Sequence, residues 1–165
     1  MLAIAHDSAR LIDVVVHGAE PLSSADVLVV EAACRRAAQA IAQDPRRTSV
    51  VLVLVETDQG PDAAQRQRLA RAMRSVPRCL EVLVTESSVA RANMEAMRVM
   101  APAVGERRLA AVQRYEEARA FLVRETGIEP TVFDALVTEA RARVRGELGA
   151  REHATLPWEE VETKP

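Results

Sequence analysis

The chain has 165 residues, 48% of them hydrophobic but only 2% aromatic, and a formal net charge of -2. That length suits one domain burying roughly two thirds of its unfolded surface, which needs no metal or disulfide to hold it together. The near-neutral charge excludes the simple electrostatic footprint of a nucleic-acid surface, and the longest apolar run, 50–55, is far too short to span a bilayer.

In chain order, LAIAHDSARLIDVVVHG predicts two short strands, an antiparallel pair around a turn at His6-Asp7-Ser8. The first residues have neither a basic segment nor a long apolar one, so they do not read as a signal peptide. EPLSSAD, 20–26, is a helix start: Ser23 can cap, with Asp26 three residues on. The helix is expected to run to about Gln43 and to stop before Asp44-Pro45.

Residues 48–55 form a continuous apolar run, the pattern of a strand covered on both faces. A second helix is expected over 61–75, with Pro61 in its first turn. CLEVLVT, 79–85, is another strand. Ser87 or Ser88 then caps a third helix ending near Met100, before Pro102. RLAAV, 108–112, is a weaker strand, 115–125 a fourth helix, and Gly127 its left-handed end.

Two strands followed by repeated helix–strand units give an α/β layer structure. The expected architecture is a mixed sheet of about five strands with an N-terminal β-hairpin, covered by four helices. A fifth helix, from Pro130 to about Leu148, reads as an element appended to a domain that ends at 127. Val132, Phe133, Leu136, Val137, Ala140 and Val144 form one stripe along it. That stripe has three destinations: the chain's own layers, a second copy in a homodimer, or another protein partner. The segment 150–165 is polar and reads as a disordered tail whose lone Trp158, in LPWEEVE, resembles a short docking peptide.

Two turns attract attention as chemistry. ETDQGPD, 56–62, places Glu56 and Asp58 at the carboxyl end of a central strand, where open α/β sheets bind ligands. Paired carboxylates there could do acid–base work or hold a divalent cation. The plainer role, favoured here, is a connection in which Asp58 or Asp62 caps the next helix. Thr85, Ser87 and Ser88 end the following strand, and their hydroxyls could hold a small anion or simply cap. The two turns would share one sheet edge, so a small-ligand pocket would draw on Glu56, Thr57, Asp58, Asp62, Thr85, Ser87 and Ser88.

Other features read as structure. Cys34 and Cys79 share no motif spacing and are expected to be reduced, packed thiols of a cytosolic protein. His6, His17 and His153 show no metal-ligand spacing, so no metal site is expected. There is no Gly-x-Ser-x-Gly elbow, Walker loop or dinucleotide fingerprint, and no cofactor is assigned. Met94, Met97 and Met100 form core filling or an adaptable groove. Arg66, Arg68, Arg71, Arg74 and Arg78 form a solvated face or a patch for an acidic partner.

The order of elements, with VLVLVETDQGPDAAQRQRLARAM and the late VQRYEEARAFL, resembles the STAS domain superfamily, and more closely its bacterial SpoIIAA-like group. The resemblance covers roughly residues 1–126. It implies a regulatory module that binds protein partners and is not an enzyme; some relatives bind small or apolar ligands. In classical antagonists a D-S-S-G segment opens the helix after the central strand, and a serine there is phosphorylated. Here Asp62 matches the aspartate, and Ala63 and Ala64 take the serine positions. Alanine offers no oxygen for a phosphate, so that switch cannot operate at this place. Thr57 is the nearest hydroxyl. The resemblance thus implies a non-catalytic interaction module without the switch. The alternative is a carrier or sensor of an apolar or anionic small ligand.

Overall fold

Leu2–Asp7 (β1) and Ile12–His17 (β2) pair antiparallel. The turn between them is 8–11, later than predicted, because His6 and Asp7 still belong to β1, opposite Asp13 and Ile12. No glycine is present there, so Leu11 itself takes the left-handed backbone, at φ 59°. That conformation is unfavourable for a bulky residue. Burial of the Leu11 side chain with Ala37, Ile41 and Val76 offsets it.

The computed structural model describes residues 1–100 and 106–146, apart from the side chains of Met97, Arg98 and Met100. The expectations for Met97, Met100, His153, Trp158, the tail and the last residues of the fifth helix lie outside the described residues. After β2 come Ser24–Gln43 (α1), Ser49–Val55 (β3), Ala63–Arg74 (α2), Arg78–Val84 (β4), Ser88–Met100 (α3), Glu106–Val112 (β5), Tyr115–Thr126 (α4) and Pro130–Val144 (α5). The fold is α/β, with one mixed sheet in the order β1-β2-β3-β4-β5, parallel from β2 onward.

The caps show why these helices begin where they do. Ser23 and Asp26 form a reciprocal capping box on α1, with N–H to oxygen distances of 3.1 and 2.8 Å. Asp62 and Gln65 do the same for α2, at 2.8 and 2.9 Å. Pro61 therefore precedes the cap and is not in the first turn as predicted. Gly127, at φ 69°, ends α4.

Every parallel crossover steps the same way across the sheet. Right-handed connections then place α1, α2 and α3 on one face. Apolar clusters join that layer to Val15, Val51, Val53 and Leu83 of the sheet. The opposite face is covered by α4 and α5. Helices pack about 10 Å apart and strands about 4.8 Å, so one helix covers about two strands. The 12-residue α4 lies on β4 and β5, and α5 lies on β1 and β2.

The fifth helix is thus not an appendage. Phe133, Leu136, Val137 and Ala140 are buried in the main core with Val14, Val16, Val50 and Leu52, and Val132 and Val144 pack against it. Of the three destinations open to the stripe, the chain's own sheet takes it, and the expected boundary at 127 separates no independent core. Val144 approaches so closely that a Cβ added at Gly18 would lie 2.8 Å from its Cγ1.

Candidate ligand-binding cleft

The connections at the carboxyl end of the sheet diverge. After β4 the chain turns toward α3 on one face, and after β5 it turns toward α4 on the other. Divergence of neighbouring connections opens a crevice, the place where open α/β sheets receive ligands. A cleft of about 720 Å³ lies there. The Thr85 N–H donates to the Val112 carbonyl at 3.1 Å, which holds the two strand ends together at its floor.

Three connections, the ends of β3 and β4, and two helices line it. The β3–α2 turn supplies Glu56, Thr57 and Asp58. The β4–α3 turn supplies Thr85, Glu86 and Ser87. Gln113 and Arg114 come from the β5–α4 turn, Tyr115 and Glu116 from the first turn of α4, and Arg141 from α5. The structure therefore brings together five of the residues singled out in the sequence: Glu56, Thr57, Asp58, Thr85 and Ser87. Asp62 and Ser88 do not line it. Asp62 is occupied as the α2 cap, and Ser88 is the first helical residue of α3.

Several of these side chains have local work. The Ser87 hydroxyl accepts from the Ala90 N–H at 3.1 Å and so caps α3, and the Thr85 hydroxyl accepts from the Ser87 N–H at 3.1 Å. Thr57 Oγ1 accepts from the Gln59 N–H at 3.1 Å, a small side-chain turn. Glu56 accepts from Arg141 Nε at 3.0 Å. Asp58, Glu86 and Glu116 have no ion-pair partner among the described residues. The lining carries four carboxylates and two guanidiniums, and Arg114 Nε is turned to Glu117 at 2.8 Å, outside the cleft. The cleft is a polar, net-acidic one with hydroxyls on its floor.

Tyr115 is held by its neighbours. Its hydroxyl donates to Asp134 Oδ1 at 2.6 Å, and Arg119 reaches both oxygens of the same carboxylate, at 3.2 and 2.9 Å. Burial, then that hydrogen bond and the Asp134 charge, push the phenol well above its usual range. It stays a neutral donor and is no base near neutral pH.

Sequence reasoning missed Gln113, Arg114, Tyr115, Glu116 and Arg141. The topology could have supplied the first four, because the strand next to the Thr85 turn must end beside it. Arg141 had no such signal, since its place depends on α5 crossing the sheet. Also missed were Asp13 and Glu81, carboxylates inside apolar strands. Asp13 is 3% exposed and Glu81 6%, on the α1–α3 face. Asp13 meets His6 Nδ1 at 2.9 Å, and Glu81 meets Arg107 at 3.2 Å. A charge interrupting IDVVVH and CLEVLV was the available signal.

The cysteines behave as packed thiols. Burial first, then the Glu81 charge, push both Cys34 and Cys79 up to about 12. Met94 is buried in the α1–α3 layer. Of the arginine series, Arg68 makes a two-pronged pair with Glu31 of α1 at 3.0 and 2.9 Å, and Arg78 belongs to β4 and pairs with Glu106 at 2.6 Å. No group of three or more His, Cys, Asp or Glu among the described residues could hold a metal ion. No helix among them is long and apolar enough to cross a membrane.

Compared with known proteins, the chain matches no family model, no curated protein and no solved structure. The resemblance to the SpoIIAA-like group therefore rests on the order of its elements and on the β3–α2 and β5–α4 segments alone.

Proposed function

We propose that this chain is a non-catalytic binding domain whose cleft takes a small, polar, amine-bearing molecule. The single observation that carries this reading is the composition of the crevice. Four carboxylates meet two guanidiniums there, and Arg141 is already paired with Glu56 while Arg114 is turned to Glu117. Asp58, Glu86 and Glu116 are left to face a ligand. A positive amine gains from them, whereas a polyanion meets repulsion. This sets aside the anionic ligand considered from sequence. The hydroxyls of Thr57, Thr85 and Ser87 can orient a polar backbone. No His, Cys or Lys lines the cleft, so its hydroxyls have no imidazole or amine base from the lining beside them.

The test is thermal unfolding of the full chain with spermidine as probe, beside an Asp58→Asn/Glu86→Gln variant. The reading expects a saturable rise in Tm for the wild type that is largely lost in the variant. An equal rise in both, or none in either, overturns it.

A second reading, a protein-interaction module of SpoIIAA-like type, draws support from the start of α2. Ala63 is its first residue, directly after the Asp62 cap, and both Ala63 and Ala64 are exposed. A phosphate there would sit at a helix N-terminus, a favourable place for negative charge. Ala63→Ser would restore a hydroxyl at an exposed position. If a kinase preparation phosphorylates wild-type Thr57 instead, the reading of a lost switch fails.

A further inference from the structure

A second cavity, of about 140 Å³, lies between the sheet and the layer of α1, α2 and α3, away from the cleft floor. Val30, Val53, Leu69, Met73, Leu83 and Met94 form its walls. Its origin is compositional. The chain holds one Trp, one Tyr and two Phe. Tyr115, Phe121 and Phe133 all belong to the α4–α5 layer, so no Phe or Tyr among the described residues fills the space under α1–α3. A dry apolar cavity of about 150 Å³ is known to accept a benzene-sized guest.

One end of the cavity is polar. Glu81, on the strand beneath, is 6% exposed and lines it. Its Oε2 accepts from Arg107 Nη2 at 3.2 Å, and Arg107 Nη1 is taken by the Met73 carbonyl at 2.7 Å. Glu81 Oε1 takes no hydrogen bond from any described residue. Among the described residues the buried side-chain atoms without a partner are Ser49 Oγ and Arg78 Nε, so Glu81 Oε1 is reachable from the cavity and can accept from a guest's donor. Arg107 already balances the Glu81 charge, so a second cation in this apolar space would be uncompensated. The guest that satisfies both conditions is neutral and carries one hydroxyl.

We propose that this cavity binds a compact, neutral, mostly apolar molecule of roughly six to eight non-hydrogen atoms, whose single hydroxyl donates to Glu81 Oε1. This does not depend on the cleft reading, and substitutions at Asp58 and Glu86 should leave it intact.

Phenol and toluene make a matched pair of probes, alike in size and different in the hydroxyl. In backbone NMR titrations of the full chain, both should give saturable shifts clustered at Val53, Leu83 and Met94, with phenol at least tenfold tighter. Glu81→Leu should abolish that preference. Val53→Phe should fill the space and remove binding of both. Should Val53→Phe not fold, Ala90→Leu enters the space from the opposite wall, on α3, and should still weaken both probes. Absence of saturable shifts, shifts away from the cavity, or equal affinity of the wild type for the two probes overturns the proposal.

Discussion

Arg141, near the end of α5, holds Glu56 at the carboxyl end of β3 at 3.0 Å, across 85 residues of chain. The pair joins the helix that completes one face of the sheet to the strand end that opens the cleft. Both side chains are about 40% exposed, at 40% and 44%. Such a pair contributes less than about 1 kcal/mol to stability. Its consequence is electrostatic, since it neutralises one of the cleft's four carboxylates. Arg141→Ala is therefore expected to lower Tm by no more than about 4 °C, measured calorimetrically. The same variant should bind spermidine more tightly than the wild type, because Glu56 is released to face the cleft.

Phe133 is fully buried under the sheet, with Ala5, Ile12 and Leu52 in the same cluster. Phe133→Ala should cost about 3–5 kcal/mol in urea unfolding. A chain ending at residue 127 should lack a cooperative unfolding transition, because half of one sheet face would be bare. A cooperative transition in that shortened chain would restore the picture of α5 as an accessory.

Burial raises the Glu81 carboxyl above its ordinary value, outweighing the Arg107 guanidinium, which lowers it. The folded form holds the proton more tightly than the unfolded one. The associated stability is fully present below the unfolded value of about 4.5 and is lost as pH rises through the folded one. Glu81→Gln removes this titration and leaves the others in place. Relative to the wild type, the variant should therefore be less destabilised at pH 7 than at pH 4, compared by denaturant titration at both. An unchanged difference would mean that Arg107 fully offsets the burial.

Cys34 and Cys79, pushed up to about 12 by burial, should resist a thiol reagent such as dithiobisnitrobenzoate at pH 8 in the native protein. Both should react within the mixing time in concentrated urea. Fast labelling of either thiol in the native state would show that the α1–α3 layer opens readily.

Much of the fold was legible because local signals agreed. Ser23 with Asp26 marked the start of α1, β-branched runs marked β2, β3 and β4, and Gly127 marked the end of α4. The errors came from long-range causes. Leu11 carries a turn conformation that its side chain disfavours, stabilised by packing against Ala37 and Ile41 of α1 and against Val76. The weak strand expected at 108–112 begins two residues earlier, at Glu106, and the partner of its Arg107 is Glu81, 26 residues away. The stripe on α5 was plain, but its destination follows from α4 covering only β4 and β5, which leaves β1 and β2 to be covered. In the cleft, residues of two turns were identifiable from the rule that ligands meet strand ends. Arg141 arrives from the far end of the described chain and could be placed only by the packing of α5.

The most direct measurement is a native mass-spectrometric titration of the full chain with spermidine, alongside the Asp58→Asn/Glu86→Gln variant. The account predicts one spermidine per wild-type chain and at least tenfold weaker binding to the variant. Equal occupancy of the two proteins at every concentration would contradict it.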